Sequence, residues 1–208
     1  SNSVEDLCDL GNQAWQEANK FPGQISTLIV PADCAWEEYN GKIPTPLPKI
    51  GPTKIDDSLV RKSIESLNKD NSILFIGGKF LDEECINLAG LISTATGCRI
   101  VTDTFVSRIR RGAGLPKVEQ VPYFSEMAEV FLENTSGVVF IGSSAPVSFF
   151  AYPGKKSFLL PNETKIINLS SPSENGLSAL QALADECGNS TIEKQILQTK
   201  NVEMPIYG

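Results

Sequence analysis

Two continuous apolar runs, each ending at glycine, constrain the fold of this chain more than any other feature. Residues 73–76 read Ile-Leu-Phe-Ile before Gly77-Gly78, and residues 137–141 read Gly-Val-Val-Phe-Ile before Gly142. Strands that are apolar at every position are typical of parallel sheets, whose two faces are both covered by helices. Shorter β-rich runs occur at residues 99–102, 158–160 and 165–169. The sequence therefore predicts a buried parallel sheet.

Segments with helical spacing lie between these predicted strands. Polar residues at 56–58, Asp82 and Ser125 are predicted to cap three helices at their N-termini, and Gly97 is predicted to end the second of them. A last helix is predicted from about residue 173 to residue 186. Strands that alternate with helices of about ten or more residues imply βαβ crossovers. The predicted fold class is α/β, a doubly wound parallel sheet of the Rossmann-like kind.

The first 54 residues have a different pattern. A helix is predicted from the spacing of Leu7, Leu10, Ala14, Trp15 and Ala18, and residues 25–30 are predicted to form a short strand. Residues 41–54 are rich in proline, which fixes φ and favours an extended, semi-rigid linker. The predicted organisation is a helix–strand piece over 1–40, a linker over 41–54, the main domain over 55–188 and a polar tail or second linker over 189–208.

Composition excludes several kinds of chemistry. The 208 residues include no histidine, so Ser–His and Cys–His nucleophile pairs are excluded, and with them nearly all zinc chemistry. The net charge of −7 argues against nucleic acid and against an anionic membrane as partners. The five cysteines are dispersed without CxxC spacing, which favours reduced thiols in a cytoplasmic protein. We predict no catalytic residue and no metal ligand in this chain.

The loop after the first apolar run is the most suggestive candidate site. Glycines at the carboxyl end of a sheet strand let a phosphate approach the backbone, and the following helix N-terminus favours anions. Gly77, Gly78 and Lys79 occupy this position, although they match neither GxGxxG nor a Walker lysine motif. The alternative is a tight strand-to-helix turn with no ligand.

Two further loops complete a candidate nucleotide pocket. Arg108 stands with two more arginines beside Gly112 and Gly114, where guanidinium groups could contact phosphate, or could remain solvated or dock on an acidic domain. Gly142 and Ser143 follow the second apolar run. The predicted cofactor-binding residues are therefore Gly77, Gly78, Lys79, Arg108, Gly142 and Ser143. The aromatic residues Phe149, Phe150 and Tyr152 are predicted to pack within the domain, or else against another domain or a flat ring.

Several stretches together resemble a known family. They are residues 28–33 (Leu-Ile-Val-Pro-Ala-Asp), the proline-rich linker, the strand and turn at 73–78, residues 95–99 (Ala-Thr-Gly-Cys-Arg), residues 111–114, residues 122–124 and residues 145–155. In this order they resemble the central domain of thiamine-diphosphate enzymes related to acetolactate synthase and benzoylformate decarboxylase. The run 145–155 is similar to an acetolactate-synthase-like subgroup, and the resemblance extends from about residue 5 to residue 188.

The resemblance implies an enzyme whose catalytic parts lie elsewhere. Residues 1–40 would be the end of a pyrimidine-binding domain, and residues 189–208 would lead to a diphosphate-binding domain. The family's catalytic glutamate would lie ahead of residue 1, and its Gly-Asp-Gly motif, which holds magnesium and the diphosphate, does not occur here. The full-length protein is expected to be a homo-oligomeric transferase or lyase that binds thiamine diphosphate and magnesium and acts on a 2-keto acid. This chain alone is expected to bind neither thiamine diphosphate nor magnesium and to be inactive.

The central domain of this family carries FAD in some members, ADP in others and no nucleotide in the rest. The flavin-binding loop usually has an Arg-Phe-Asp type sequence after its glycine, whereas residues 142–146 read Gly-Ser-Ser-Ala-Pro, which argues against FAD. Three interpretations stay open at this point: a structural central domain, an autonomous module that binds FAD, ADP or NAD, and a pure interaction domain.

Overall fold

The computed structural model describes residues 3–151 and 153–188, which fall into two compact units divided between Thr53 and Lys54. The first unit contains helix α1 (Val4–Asn19) and the short helix α2 (Ala32–Trp36). The proline-rich segment is extended and lies along α1. The side chain of Asn12 donates to the Thr45 carbonyl at 2.7 Å and accepts from the Leu47 amide at 3.1 Å. The segment predicted as a linker is thus hydrogen-bonded within the first unit.

The strand predicted at residues 25–30 is wrong. These residues are extended but belong to no strand, and Ile25 and Ile29 are exposed. Their β propensity is real, but a strand is stable only when it pairs with a neighbour and packs one face against a core. In the described part of the first unit no other strand is present to pair with them.

The second unit is built on five parallel strands: β1 (Ser72–Ile76), β2 (Arg99–Thr102), β3 (Glu119–Gln120), β4 (Gly137–Ile141) and β5 (Lys165–Ser170). Their order across the sheet is β3-β2-β1-β4-β5. The chain first moves outward from β1 to β3 and then returns to the other side of β1 with β4. The point where the order reverses therefore lies between β1 and β4, and the predicted doubly wound α/β fold is confirmed.

Helices cover both faces of the sheet. Helices α3 (Ser58–Leu67) and α4 (Glu83–Thr96) both pack against α6 (Gly176–Glu186) on one face. On the other face, α5 (Ser125–Leu132) contributes Ala128 and Leu132 to a buried cluster. The rings of Phe75 and Phe140, aligned in the register of β1 and β4, form the centre of this cluster with centroids 5.0 Å apart. Both central strands are buried at every position, as their sequences predict.

Two local predictions need correction, and one short strand was not predicted. Residues 158–160 form no strand, because Phe158 makes only a single bridge to Val147 while Leu159 and Leu160 turn into the core beside α5. Ser125 is the first residue of α5 and not its cap, since its hydroxyl faces the Glu126 carboxylate at 3.3 Å. The short strand β3 was not predicted, because its two residues, Glu and Gln, carry no apolar signal.

Both ends of α4 agree with the sequence. Asp82 caps α4 by accepting from the Cys85 amide at 2.9 Å, and Gly97 ends it with φ of 78°. Helix α6 begins at Gly176, three residues after the predicted start, with Asn175 as its cap. The predicted tail over 189–208 lies outside the described residues. None of the helices described is long and apolar enough to cross a membrane.

Candidate functional site

The carboxyl ends of β1 and β4 meet where the strand order reverses, which is the usual ligand position in sheets of this kind. Backbone hydrogen bonds join the end of β1 to the end of β4, and the end of β4 to the end of β5. The Gly77 amide donates to the Ile141 carbonyl at 3.0 Å, and the Gly142 amide donates to the Ser170 carbonyl at 2.8 Å. The structure therefore brings two of the predicted loops together at this edge.

The glycines in these loops are required by close packing. A Cβ atom on Gly77 would lie 2.7 Å from a carboxylate oxygen of Asp103 and 2.7 Å from Cβ of Ser143. A Cβ atom on Gly142 would lie 2.9 Å from the Gly77 carbonyl and would meet the ring of Phe80. Gly78 and Gly142 also have φ of 60° and 67°, which L side chains rarely adopt. Protein atoms occupy the space that these glycines leave.

The ring of Phe80 fills the crevice at the reversal point. Phe80 is only 5% exposed, and its ring lies against both Gly142 and Gly176 at the start of α6, where a Cβ atom would be 2.6 Å away. The Phe80 amide donates to the Gly77 carbonyl at 3.1 Å, which closes the turn after β1. The Phe80 ring therefore occupies the space beside Gly142 and Gly176, and we call this region the closed crevice.

Asp103 and Ser143 bridge the same crevice. Asp103 follows β2, and its Oδ2 accepts a hydrogen bond of 2.7 Å from the hydroxyl of Ser143. Burial raises the pKa of the Asp103 carboxyl above its ordinary value, and this hydrogen bond lowers it in part. Sequence reasoning missed Asp103 and Phe80, although an acid directly after a buried strand is a signal that could have been used for the first.

A second concavity lies beside the closed crevice and contains the other predicted residues. It has a volume of about 360 Å³ and is lined by Gly78, Lys79, Leu81, Asp82, Ser107, Arg108 and Arg110. The Arg110 amide donates to the Leu81 carbonyl at 3.0 Å, which fixes the arginine loop against the turn after β1. The third arginine, Arg111, turns away and donates to Gln120 at 3.3 Å.

The electrostatics of this concavity, termed the basic cavity below, are mixed. Lys79, Arg108 and Arg110 supply positive charge, whereas Asp82 supplies negative charge and caps the N-terminus of α4. Glu83 and Glu84 in the first turn of α4 add further negative charge. Because these acids already interact with the helix dipole, the attraction for an anion comes mainly from the three basic side chains.

The predicted residues thus separate into two places. Gly78, Lys79 and Arg108 line the basic cavity, whereas Gly77, Gly142 and Ser143 lie at the closed crevice. The single nucleotide pocket formed by all six residues stays a prediction.

An aromatic cluster occupies the same edge of the sheet on the side of β2 and β3. Five aromatic rings contact one another here. The distances between ring centroids lie between 5.0 Å for Phe105–Phe149 and 5.9 Å for Tyr123–Phe149. Tyr123 also contacts Phe124 and Phe150. All five residues are exposed, and we call them the aromatic face. Two of them, Phe149 and Phe150, were singled out from the sequence, whereas Tyr152 lies outside the described residues.

A metal site is not found in the described residues: nowhere in residues 3–151 and 153–188 do three His, Cys, Asp or Glu side chains come together as a metal would require. The five cysteines are unpaired thiols. Burial raises the pKa of the Cys85 thiol to about 12 and that of Cys98 to about 11, so both are inert as nucleophiles near neutral pH.

Comparison with solved structures identifies the class of protein that has this fold. A structure from Mycobacterium smegmatis, described as a "putative thiamin diphosphate-dependent enzyme", aligns with 99% of this chain and 42% of its own length, at a TM-score of 0.68 and 16% identity. A thiamine diphosphate-dependent 4-hydroxybenzoylformate decarboxylase of Rhodococcus jostii aligns with 100% of this chain over 42% of its own length, at a TM-score of 0.61 and 17% identity. Benzoylformate decarboxylase of Polynucleobacter necessarius aligns with 97% of this chain over 38% of its own length, at a TM-score of 0.64 and 15% identity. The fold is thus that of a region of thiamine-diphosphate-dependent enzymes.

A curated protein sequence is similar to this chain as well. The chain is 34% identical over 191 residues to the Mycobacterium tuberculosis protein described as "Putative acetolactate synthase large subunit IlvX". The match covers 91% of this chain and 36% of the relative, so the chain spans little more than a third of the relative's length. No family model matches. The comparisons confirm the resemblance to part of an acetolactate-synthase-like, thiamine-diphosphate-dependent protein.

Proposed function

We propose that the unit from Lys54 onward is the central, scaffolding domain of a thiamine-diphosphate-dependent enzyme that carboligates or decarboxylates a 2-keto acid. In this proposal residues 1–40 are the end of a pyrimidine-binding domain, and a diphosphate-binding domain is joined through residues 189–208. The flanking domains of the full-length protein, a homo-oligomer, supply thiamine diphosphate, magnesium and the catalytic groups. The 34% identity to the acetolactate-synthase-like relative supports the assignment.

The closed crevice is the observation that carries the scaffolding role. A nucleotide-binding domain with this strand order would hold a phosphate at the carboxyl ends of β1 and β4. Here the Phe80 ring packs on Gly142 and Gly176, and the Asp103–Ser143 hydrogen bond spans the end of β1. The glycines are used for contact between protein groups, as a structural domain requires.

The residues of this chain do not fit thiamine diphosphate or magnesium. The Gly-Asp-Gly motif of the diphosphate-binding domain is missing from the sequence, and the described residues include no cluster of acids or cysteines that could hold a metal. We therefore derive no catalytic step from this chain. Its cytoplasmic location, inferred from the dispersed cysteines, stays a prediction.

Two measurements on the 208-residue chain test this proposal. With thiamine diphosphate, magnesium and pyruvate added, no carbon dioxide should form above the rate of the cofactor alone. In calorimetric titrations, FAD, NAD and ADP should give no saturable heat at concentrations up to about 1 mM, the limit of weak binding. Turnover of pyruvate would overturn the assignment of catalysis to other domains. Micromolar binding of a nucleotide would contradict the purely structural role.

The basic cavity supports a second candidate, an autonomous module that binds a phosphate-bearing nucleotide. Lys79, Arg108 and Arg110 line one volume of about 360 Å³, and basic side chains that converge in this way are the usual partners of pyrophosphate. This candidate predicts that ADP binds and that inorganic pyrophosphate competes with it.

The two candidates differ in a matched pair of variants. Arg108→Gln removes a charge from the basic cavity, whereas Arg61→Gln removes an exposed charge on α3, where Arg61 pairs with Glu186 at 3.6 Å. If the chain is a nucleotide-binding module, Arg108→Gln should weaken ADP binding by about tenfold, the size expected for a charge-assisted hydrogen bond, and Arg61→Gln should not. If both substitutions weaken ADP binding equally, the effect comes from the net charge of the chain and not from the basic cavity, and this candidate is removed.

A further inference from the structure

We propose that a cavity between the loops after β2 and β4 binds a small organic ammonium ion that carries an aromatic or branched apolar group. The cavity, called the acidic cavity below, has a volume of about 210 Å³. It is lined by Asp103, Thr104 and Phe105 from the first loop and by residues 144–147 and Phe149 from the second. The inference goes beyond the proposed function and does not depend on it, because a scaffolding domain can hold an effector without taking part in catalysis.

Asp103 gives the acidic cavity a negative charge that is not balanced by a cation. It is the only ionisable residue in the lining, and none of the ion pairs within residues 3–151 and 153–188 includes it. Burial raises the pKa of its carboxyl, and the groups that lower this pKa are hydrogen-bond donors, Ser143 and the backbone amide of Asp103 itself. A cation beside a partly buried carboxylate would supply the missing compensation. The net charge of −7 attracts such a cation from a distance as well.

The rest of the lining suits an organic cation better than a metal ion. Phe105 and Phe149 both line the acidic cavity, and their ring centroids lie 5.0 Å apart with 55° between the ring planes. Aromatic rings attract organic cations and also pack against their apolar substituents. The apolar residues 145–147 add to this wall. A metal ion would need several oxygen ligands, whereas Asp103 is the only acid present in the lining.

Hydrogen bonds hold the two loops in place around the acidic cavity. The hydroxyl of Ser143, in the loop after β4, donates to Oδ2 of Asp103 at 2.7 Å and so joins the two loops. Nε2 of Gln120 donates to the Thr104 carbonyl at 2.6 Å. A carboxylate accepts several hydrogen bonds, so the bond from Ser143 leaves Asp103 able to accept another from an ammonium group. Because the cavity is already formed, little has to be ordered when a ligand binds.

A matched pair of probes tests the proposal on the 208-residue chain. Benzylammonium and benzyl alcohol have nearly the same shape, but only the first is charged near neutral pH. Both are smaller than the ligands that fill sites of roughly 300–1,000 Å³. In an amide chemical-shift titration, benzylammonium should bind with a dissociation constant of about 0.1–1 mM and shift the amides of residues 103–105 and 144–149, and benzyl alcohol should bind at least about tenfold more weakly.

Three results of this titration would overturn the proposal. The first is the absence of saturable binding of benzylammonium up to about 10 mM, well above the expected dissociation constant. The second is equal binding of the two probes, or shifts confined to residues outside the two loops. The third is tighter binding of a lysine whose amino and carboxyl groups are blocked, which would indicate a lysine side chain of a polypeptide as the natural occupant.

Variants matched in charge locate the site. Asp103→Asn keeps the shape of the side chain and removes its charge, so it should weaken benzylammonium binding by at least about tenfold and leave benzyl alcohol unchanged. Glu65→Gln removes the same charge from an exposed position on α3 and should change neither. Phe149→Leu should weaken benzylammonium severalfold, and it keeps the test decisive if circular dichroism shows that Asp103→Asn is not folded.

Two patterns among the variants would contradict the assignment of the ligand to the acidic cavity. If Asp103→Asn and Glu65→Gln weaken benzylammonium equally, the probe responds to the net charge of the chain and not to one carboxylate. If neither Asp103→Asn nor Phe149→Leu changes the dissociation constant, the probe binds elsewhere.

Discussion

The residues that the sequence assigns to one nucleotide pocket lie in two concavities on either side of the turn after β1. On the side of Gly77 the closed crevice is filled by Phe80 and bridged by Asp103 and Ser143. On the side of Lys79 the basic cavity is open and carries three basic residues. The comparison shows that glycine after a buried strand indicates close approach of some group, but not whether that group is a ligand or the protein itself.

Different forces act on the two sides. In the closed crevice Phe80 is buried and the Asp103–Ser143 hydrogen bond is partly buried, so these groups contribute to folding stability through apolar packing and through that hydrogen bond. In the basic cavity the charged side chains are exposed, so their contribution to stability is small and any role must be in binding. Substitutions on the two sides should therefore differ strongly in their effect on the free energy of unfolding.

The largest expected effect is that of Phe80→Ala. Removing a ring that is 5% exposed leaves a cavity against Gly142 and Gly176 and should lower the free energy of unfolding by about 3–5 kcal/mol. Urea unfolding followed by circular dichroism measures this loss. Phe158→Ala, at a half-exposed ring, is the control and should cost only about 1 kcal/mol. A loss below about 1 kcal/mol for Phe80→Ala would mean that the crevice does not depend on the ring.

Gly142→Ala should have the next largest effect. The new Cβ atom would lie 2.9 Å from the Gly77 carbonyl and would meet the Phe80 ring, at a residue with φ of 67°. Backbone strain and overpacking together should cost about 2–4 kcal/mol. Gly154→Ala is a matched control, because Gly154 has φ of 75° but no heavy atom within 4 Å of the added Cβ, so only about 1 kcal/mol of strain is expected. Equal losses in the two variants would show that packing at Gly142 is not tight.

Asp103 should make the free energy of unfolding depend on pH, an effect smaller than those of the two substitutions above. Because burial raises the pKa of Asp103, the folded chain binds more protons than the unfolded chain, and stability falls as the pH rises from about 3.8 through the folded pKa. Asp103→Asn should remove this decline, so the stability of the variant relative to the parent improves between about pH 4 and pH 7. Urea unfolding of the parent and of Asp103→Asn at both pH values measures this difference in stability.

Glu126→Gln is the control, because the pH dependence that Glu126 gives to stability has the opposite sign. The hydrogen bond from its own backbone amide and the nearby Lys155 lower the pKa of Glu126, so the stability that it contributes is lost as the pH falls through its folded pKa. An identical pH profile for the parent and Asp103→Asn would contradict the burial of Asp103.

How much of this fold is predictable from the sequence depends on how local the determining contacts are. Strands β1 and β4 were predicted because burial on both faces requires an apolar side chain at every position. Residues 25–30 have a similar composition but form no strand, since pairing depends on a neighbour that the local sequence does not reveal. Leu159 and Leu160 show the same limit, because apolar residues that cover a sheet look like residues that form one.

The candidate site shows the same dependence on distant contacts. The glycines and the basic loop were found from the sequence, because each stands directly after a strand or within a recognisable loop. The role of Phe80 depends on its contact with Gly176, which lies far away along the chain, and the role of Asp103 depends on Ser143. The aromatic face combines three separate loops, and only Phe149 and Phe150 were singled out from the sequence as a possible packing surface.

The smallest expected effect on stability is that of Arg108→Gln in the basic cavity. Arg108 is exposed, so losing its charge should change the free energy of unfolding by no more than about 0.5 kcal/mol, far less than Phe80→Ala. A thermal-shift series with inorganic pyrophosphate, run on the parent and the variant, then separates binding from stability. If pyrophosphate stabilises the parent and not the variant, the basic cavity binds anions, and the open side of the turn is the functional side. If Arg108→Gln lowers stability by more than about 1 kcal/mol without ligand, the arginine loop is a structural element like the closed crevice, and the contrast between the two sides fails.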